Sequence, residues 1–526
     1  MIRACRAIAA GWIVLAGSMG VAGAVETDAP QSLITAKEAI MIAVRQKLDG
    51  LPSERDQGEQ SDRAFLASYY SGARAEPLWV DKHGLTDRAN QLITEMEKAG
   101  QWGLDAKAYT LPSADAAASP TARLISRELQ MSLSVLRYAR HARGGRMDPK
   151  QLSFAIDRTP PLEDPAVVLS ALEAADDPAS YLRNLHPKHE QFELLRQAYL
   201  KSLEDEKNPA AAEIDLPPKQ KNKSRRRKSK TRLSKRLLYN MEMWRWMPLD
   251  LGTKYVWSNI PEYRMRVVKA GRVVHAERIV AGKVRNKTPI FSDEMETIVF
   301  HPFWGVPNSI KVKEILPSLA RGGNILERQN LRIQYRGREV DPYSIDWSTT
   351  DIRNFHVFQP PGRRNALGIV KFMFPNKHAI YMHDTPTKHL FKKQKRAFSH
   401  GCMRVRNPLK LAEVVLSEDR GWGRTKIDAL VKRGPKNNQI SLNTKVPVHV
   451  TYFTARIDEA GKPVLFEDIY GHEKLIQKGL DGKAHLIVKR KPNLDAAARN
   501  ARSAANGYYK KKNTNWIDQV FGGFNN

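Results

Sequence analysis

The chain has 526 residues, which is too long for one ordinary hydrophobic core and predicts two or three domains. Hydrophobic residues make up 41% of it, and beyond its first residues no stretch reaches about 18 uninterrupted apolar residues, which excludes a multi-span membrane protein. The formal net charge of +30 favours polyanions or acidic surfaces as partners without identifying one. Nucleic acid is the obvious competitor, and the export signal described next argues against it.

Residues 1–24 have the pattern of a cleaved signal peptide. Arg3 and Arg6 form a basic start, residues 7–21 an apolar run, and residues 22–24 a small-residue cleavage site. An uncleaved membrane anchor is the alternative, but the run is short and interrupted by glycines. We therefore expect a protein exported to the periplasm.

The next three segments differ in composition. Residues 25–60 predict a polar lead-in with one helical stretch, and residues 61–203 repeat apolar residues at helical spacing, which predicts a helix-rich domain. Residues 204–236 are dense in Lys and Arg and have no apolar face, so we expect a disordered basic linker. It serves either as a solvated spacer or as an electrostatic tether to an anionic envelope polymer.

From Leu237 the pattern becomes β-rich, and we place a mostly β domain at residues 237–472, called the catalytic domain below because it contains the candidate nucleophile described next. Residues 301–358 form a long insertion, which is typical of a lid, with a short helix that we expect Pro317 to stop. Residues 473–526 have no clear core and predict a flexible basic tail. The fold class is therefore α+β. The predicted strands are 255–260, 263–268, 273–280, 297–300, 331–335 and 448–453.

Cys402 is the candidate nucleophile, because the other cysteine, Cys5, lies in the predicted signal peptide. A lone thiol beside histidines in a Gly-containing turn suggests nucleophilic chemistry. An inert buried cysteine is one alternative. A zinc site is another, although the sequence lacks the closely spaced ligand pairs of common zinc sites. Its ligands would be His383, Asp384, His389, His400 and Cys402.

Two histidines are candidates for the base that takes the thiol proton. His383 ends a short apolar run with strand character, whereas His400 stands two residues from Cys402 in a tight turn. We favour His383, because it arrives from a separate strand, and expect His400 to shape the loop. A histidine partner and the helix that follows, capped by Asn407, should both lower the thiol pKa.

Two segments of the chain closely resemble the signature of the L,D-transpeptidases, cysteine enzymes that cross-link peptidoglycan. They are Tyr-Met-His-Asp-Thr-Pro at 381–386 and Ser-His-Gly-Cys-Met-Arg at 399–404. The resemblance covers about residues 60–470 and is to the large members, which have a helical scaffold domain and a capping subdomain. Further similar segments are 359–372, 240–248, 102–109 and 77–79.

The resemblance implies a reaction in which Cys402 attacks the stem tetrapeptide of peptidoglycan and releases its terminal D-alanine from a thioester. An amine on another stem, or on an acceptor such as an outer-membrane protein, then resolves the thioester. His383 would move the protons, oriented by the side chain or the carbonyl of Asp384. Backbone amides from Gly401 to Met403 would form the oxyanion hole.

The resemblance also implies substrate contacts, and no metal or organic cofactor is required. Arg404 would hold the loop or bind a stem carboxylate, and Ser399, Tyr381 and Trp304 would contact substrate. Two other functions stay open: a peptidoglycan hydrolase on the same fold, and a non-enzymatic wall-binding protein. The Cys402 and His383 pair argues against the second of these.

Overall fold

A computed structural model of the chain describes residues 36–51, 56–71, 76–113, 115–208, 232–489 and 493–503. The predicted signal peptide lies outside the described residues, as do most of the basic linker and the end of the tail. Within the described ranges, no helix has the length and apolar character needed to cross a membrane.

The N-terminal part is a helical domain built around its longest helix, α4. Helices α1, α2, α6 and α7 all pack against α4. The helices that begin at Pro120, Pro149, Pro165 and Pro178 each have a Ser or Asp as the capping residue before the proline, and proline suits the first helical turn. The helices are α1 Ala36–Asp49, α2 Gln57–Tyr69, α3 Asp87–Glu97, α4 Pro120–Gly144, α5 Pro149–Leu152, α6 Pro165–Ala174, α7 Pro178–Asn184 and α8 Glu190–Lys207.

The boundaries of this domain differ from those we predicted. Helix α1 buries Ile40, Met41 and Val44 in the core of the helical domain, so the described part of residues 25–60 is not a separate lead-in. Both ends of the predicted linker are helical, because α8 continues to Lys207 and helix α9, Leu233–Arg245, packs against it. Apolar packing between α8 and α9 overrides the charge of the residues at both ends.

The catalytic domain is one nine-stranded sheet in the order β13-β5-β14-β12-β11-β6-β15-β3-β4. An additional pairing of β4 with β5 closes the sheet on itself. All six predicted strands overlap observed ones. The strands of the chain are β1 Val80–Asp81, β2 Gly84–Leu85, β3 Lys254–Asn259, β4 Arg264–Lys269, β5 Arg272–Gly282, β6 Phe291–Phe300, β7 Trp304–Gly305, β8 Arg332–Tyr335, β9 Arg338–Glu339, β10 His356–Gln359, β11 Val370–Met373, β12 Met382–His383, β13 Ala397–Ser399, β14 Met403–Val405, β15 Asn438–Thr451, β16 Ala455–Ile457 and β17 Pro463–Leu465.

The insertion at 301–358 forms a subdomain, called the cap below, with its own sheet and core. Its sheet has the order β7-β10-β8-β9. Its helices are α10 Asn308–Ile310, α11 Leu316–Leu319 and α12 Ile325–Arg328, with a π-helical turn, Lys311–Ile315, between the first two. We predicted that Pro317 stops the helix, and this is wrong. Pro317 stands in the first turn of α11, where its missing N–H costs nothing.

The prediction of a coreless tail from residue 473 is wrong for its described part. Helices α13, Pro408–Arg420, and α14, Arg424–Arg433, precede β15, and helix α15, His472–Leu480, buries Ile476 in the catalytic core. Residues 494–503 are also helical, and Ala498 and Ala501 are buried in the core of the cap. Small apolar residues do this packing, so the segment shows little hydrophobic signal in the sequence.

Candidate active site

Strand alternation places the candidate residues on one face of the sheet. Strands β12 and β14 are parallel, with Met382 opposite Met403 and His383 opposite Arg404. Both methionines are 0% exposed and lie in the core of the catalytic domain. Because successive side chains of a strand point to opposite faces, His383 and Arg404 lie on the other face. By the same alternation, the preceding residues Tyr381 and Cys402 belong on that face too.

The imidazole of His383 is held by the backbone. Its Nδ1 donates to the carbonyl oxygen of Asp384 at 2.5 Å, which leaves Nε2 as the nitrogen with a free lone pair. The ring packs edge-on against Tyr381, with 5.7 Å between ring centroids. Burial, reinforced by the charge of Arg404, lowers the pKa of His383 to about 3. The histidine is therefore neutral and oriented before any substrate arrives.

The carboxylate of Asp384 points away from the imidazole and anchors the neighbouring loop. It accepts the amide of Ile369 at 3.0 Å and an ion pair from Lys388. Gly368 has φ +62°, and a Cβ there would lie 2.3 Å from the carboxylate. Of the two alternatives left open by the sequence, the carbonyl of Asp384 is the group that orients His383.

Cys402 is half-buried, and its environment favours the neutral thiol. The sulfur lies 3.7 Å from the carbonyl oxygen of Ala379, and Tyr381 is close enough to the sulfur to act on the pKa of the thiol. Burial raises the thiol pKa to about 11, although Tyr381 and Arg404 act in the opposite direction. Our expectation of a lowered thiol pKa is therefore wrong for the resting protein, because desolvation outweighs the nearby donors.

The turn around Cys402 is held by its own polar groups. The hydroxyl of Ser399, which is 2% exposed, donates to the carbonyl of Cys402 at 2.6 Å and accepts the amide of Gly401 at 3.1 Å. Ser399 therefore shapes the loop, and its contact with substrate stays a prediction. The amide of Met403 donates to Tyr381 at 3.1 Å, so neither Gly401 nor Met403 has a free oxyanion donor. Within 401–403, the amide of Cys402 is the one without a partner among the described residues.

His400 and Asn407 point elsewhere than we predicted. The Nε2 of His400 is bonded to Oε1 of Glu314 at 2.5 Å, in the π-helical turn of the cap. His400 thus joins the loop at residues 399–402, called the nucleophile loop below, to the cap. Asn407 stands at the start of α13, but its side chain accepts no hydrogen bond from the first turn of the helix. Its side-chain amide donates to Glu277 at 2.6 Å instead.

Three further side chains border the same face. Arg404 donates to Thr387 at 2.9 Å, while its buried Nε has no hydrogen-bond partner among the described residues. Trp304 of the cap is close enough to the side chain of Tyr381, beside the thiol, to lower the pKa of Tyr381. Lys371 lies directly opposite His383 in the β11–β12 pair, and burial lowers its pKa. We did not single out Lys371 from the sequence, because only the strand register reveals its position.

The structure does not assemble the zinc ligands considered above. In the described part of the chain, no group of three or more His, Cys, Asp or Glu side chains is arranged to hold a metal ion. His383 uses Nδ1 on a carbonyl and His400 uses Nε2 on Glu314, so the two rings serve different partners.

A helical domain followed by a β-rich domain with a Cys–His face defines the class of protein, and comparison with known families agrees. Residues 64–198 match the model of a scaffold domain, and residues 253–448 match the L,D-transpeptidase catalytic domain, YkuD. The chain therefore combines a scaffold domain with an L,D-transpeptidase catalytic domain that follows it.

Individual proteins that resemble this chain do so at low identity or over part of its length. A Haemophilus influenzae protein, itself only provisionally named an L,D-transpeptidase, is 32% identical over 222 residues, which is 42% of this chain and 45% of that protein. The chain thus matches less than half the length of that relative. A solved L,D-transpeptidase from Mycobacterium smegmatis is 11% identical, with a TM-score of 0.17 over 38% of this chain and 58% of the other. A likeness this low adds nothing about the fold.

Proposed function

We propose that the protein is a periplasmic L,D-transpeptidase that uses Cys402 as its nucleophile and His383 as its base. The observation that supports this most is the shared face of β12 and β14. It combines a thiol with an imidazole and an arginine, whose Nε2 and buried Nε, respectively, have no hydrogen-bond partner among the described residues. The substrate is the stem tetrapeptide of peptidoglycan, as the family implies.

In the first half-reaction, the sulfur of Cys402 attacks the carbonyl carbon of the third stem residue. Nε2 of His383 takes the thiol proton as the carbon–sulfur bond forms, so no free thiolate is required at rest. The carbonyl oxygen becomes an oxyanion, to which the amide of Cys402 donates. The bond to D-alanine then breaks, its nitrogen takes the proton from His383, and a thioester remains.

In the second half-reaction, an amine attacks the thioester carbonyl and gives its proton to His383. The carbon–sulfur bond breaks, the thiol recovers the proton, and a new amide is the product. An amine from another stem gives a 3–3 cross-link, and an amine from an outer-membrane protein gives an anchored protein. Water in place of the amine gives the hydrolase alternative.

The cations around the site suit the carboxylates of stem peptides. The Nε of Arg404 has no partner in the part of the chain that the structure describes, and Lys371 lies on the same face opposite His383. Trp304 and Tyr381 supply aromatic surface on the cap side of the thiol. Over longer distances, the net charge of +30 attracts anionic polymers of the envelope.

The deciding experiment is incubation of the mature enzyme with purified tetrapeptide muropeptides, followed by mass spectrometry. We expect a thioester adduct on Cys402, loss of D-alanine, and cross-linked dimers. Cys402→Ala should form neither adduct nor dimer while remaining folded, and a chelator should change nothing. Tripeptide without dimers would establish the hydrolase, and dimers formed by Cys402→Ala would disprove the nucleophile.

A further inference from the structure

Thr288, in the connection between β5 and β6, holds the nucleophile loop although it lies in neither signature segment. Its hydroxyl donates to the carbonyl oxygen of Gly401 at 2.6 Å and accepts the amide of Gly282 at 2.9 Å. Thr288 is 1% exposed, so water cannot readily replace either bond. The contact is therefore a fixed support of the loop.

This support acts on the peptide that carries the free amide of Cys402. The carbonyl of Gly401 and the N–H of Cys402 belong to one planar peptide unit and point in opposite directions. Gly401 has φ +128°, a conformation that residues with a Cβ rarely adopt, so common backbone preferences do not set this peptide. By fixing the carbonyl, Thr288 sets the direction of the N–H.

Thr288 is itself clamped from a segment that lies beyond the matched catalytic domain. The hydroxyl of Tyr470 donates to the carbonyl of Gly282 at 2.7 Å and accepts the amide of Thr288 at 3.2 Å. The amide of Tyr470 in turn donates to the hydroxyl of Tyr452 at 2.6 Å. Gly282 leaves no room for a side chain, since a Cβ there would lie 2.1 Å from a backbone oxygen of Asn286.

We propose that Thr288, held by Tyr470, is a positioning residue that aims the amide of Cys402 at the oxyanion of the tetrahedral intermediate. The hydrogen bond to the carbonyl also polarises the peptide, which strengthens its N–H as a donor. Thr288 does not touch the substrate. This inference rests on the proposed function, because it assigns a role in the acyl transfer described above.

The test compares acyl-enzyme formation with alkylation of Cys402 by iodoacetamide, a reaction that forms no oxyanion. Thr288→Val should lower the acylation rate roughly 10- to 100-fold and leave the alkylation rate unchanged. Thr288→Ser keeps the hydroxyl and should restore most of the rate. Thr451→Val is the matched control, because Thr451 is equally buried and its hydroxyl donates to the carbonyl of Ser258, away from the loop. It should leave both rates unchanged.

Each other outcome is decisive. Unchanged acylation in Thr288→Val, or a parallel loss of alkylation, would overturn the proposal, and so would a failure of Thr288→Ser to restore the rate. If Thr288→Val does not fold, Tyr470→Phe removes the clamp and keeps the hydroxyl of Thr288. It should show the same selective loss of acylation, and full acylation would overturn the inference. A wild-type protein that is alkylated but never acylated would contradict the proposed function instead.

Discussion

The carbonyl oxygen of Asp384 accepts a hydrogen bond from Nδ1 of His383 at 2.5 Å, while the carboxylate of Asp384 is bonded to a different loop. The orientation of His383 thus depends on backbone geometry, and that geometry depends on the Asp384 carboxylate fitting against Gly368. Substitutions at this contact should alter catalysis without touching either reacting residue.

Gly368→Ala should therefore damage both stability and acylation. At φ +62°, any Cβ costs about 1 kcal/mol of stability, and here it would also lie 2.3 Å from the Asp384 carboxylate. Gly421→Ala is the matched control, since Gly421 has φ +68° and nothing within 4 Å of the added Cβ. Urea unfolding and acylation rates should separate the two variants. Equal effects would show that the contact with Asp384 is unimportant.

The two histidines should separate on substitution. His383→Ala should lower acylation roughly 10²- to 10⁴-fold, because the base is lost. His400→Ala should lower the acylation rate less, because it breaks only the contact with Glu314 of the cap and leaves His383 in place. Glu314→Gln should have a related effect, and the double variant should be non-additive. A larger loss in His400→Ala than in His383→Ala would reverse the assignment of the base.

The alkylation rate of Cys402 should reveal a neutral thiol at physiological pH. With the thiol pKa raised to about 11, the rate should rise about tenfold per pH unit above neutrality. Tyr381→Phe removes a hydroxyl that stabilises the thiolate, so the pKa should rise further and alkylation should slow. A rate that is already at its plateau near pH 7 would indicate a preformed thiolate–imidazolium pair and contradict this interpretation.

His472 should make the protein sensitive to acid. It is 0% exposed, neither ring nitrogen has a hydrogen-bond partner among the described residues, and burial lowers its pKa to about 3. The unfolded state, with the usual pKa of about 6.5, binds a proton first, so stability is full above that pH and falls as the pH drops toward 3. His472→Phe should lose about 2 kcal/mol less than wild type between pH 7 and pH 5. Identical pH profiles of unfolding would refute this.

The basic residues at 219–230 should contribute to binding of isolated cell-wall sacculi. Their charges act through a field screened within about 10 Å at 0.1 M salt, so we expect them to recruit an anionic polymer rather than to change the chemistry at Cys402. Replacing the Lys and Arg of this segment with Ser and Gln should weaken binding and flatten its salt dependence. Turnover of soluble muropeptides should stay the same. Equal sacculus binding across a salt titration would make the segment a spacer.

Sequence reasoning singled out His383 and Cys402 but not the residues that hold the loop around Cys402, Thr288 and Glu314. The strand before His383 and the turn before Cys402 have local signatures, so their proximity could be inferred. Thr288 and Glu314 stand 113 and 86 residues from their partners in the loop, and no local pattern predicts such contacts. The raised pKa of the thiol also could not be foreseen, because it arises from burial, a property of the completed fold.

The core of the cap includes Ala498 and Ala501, and Arg353 pairs with Asp495 across 142 residues of sequence. A ribosome makes every strand of the catalytic sheet before it makes this helix. The core of the cap can therefore be completed only after this helix has been made, through non-local contacts whose loop-closure cost comes first. We expect a chain that is shortened by its last few dozen residues to keep Cys402 and β14 in the sheet but to lack part of the core of the cap.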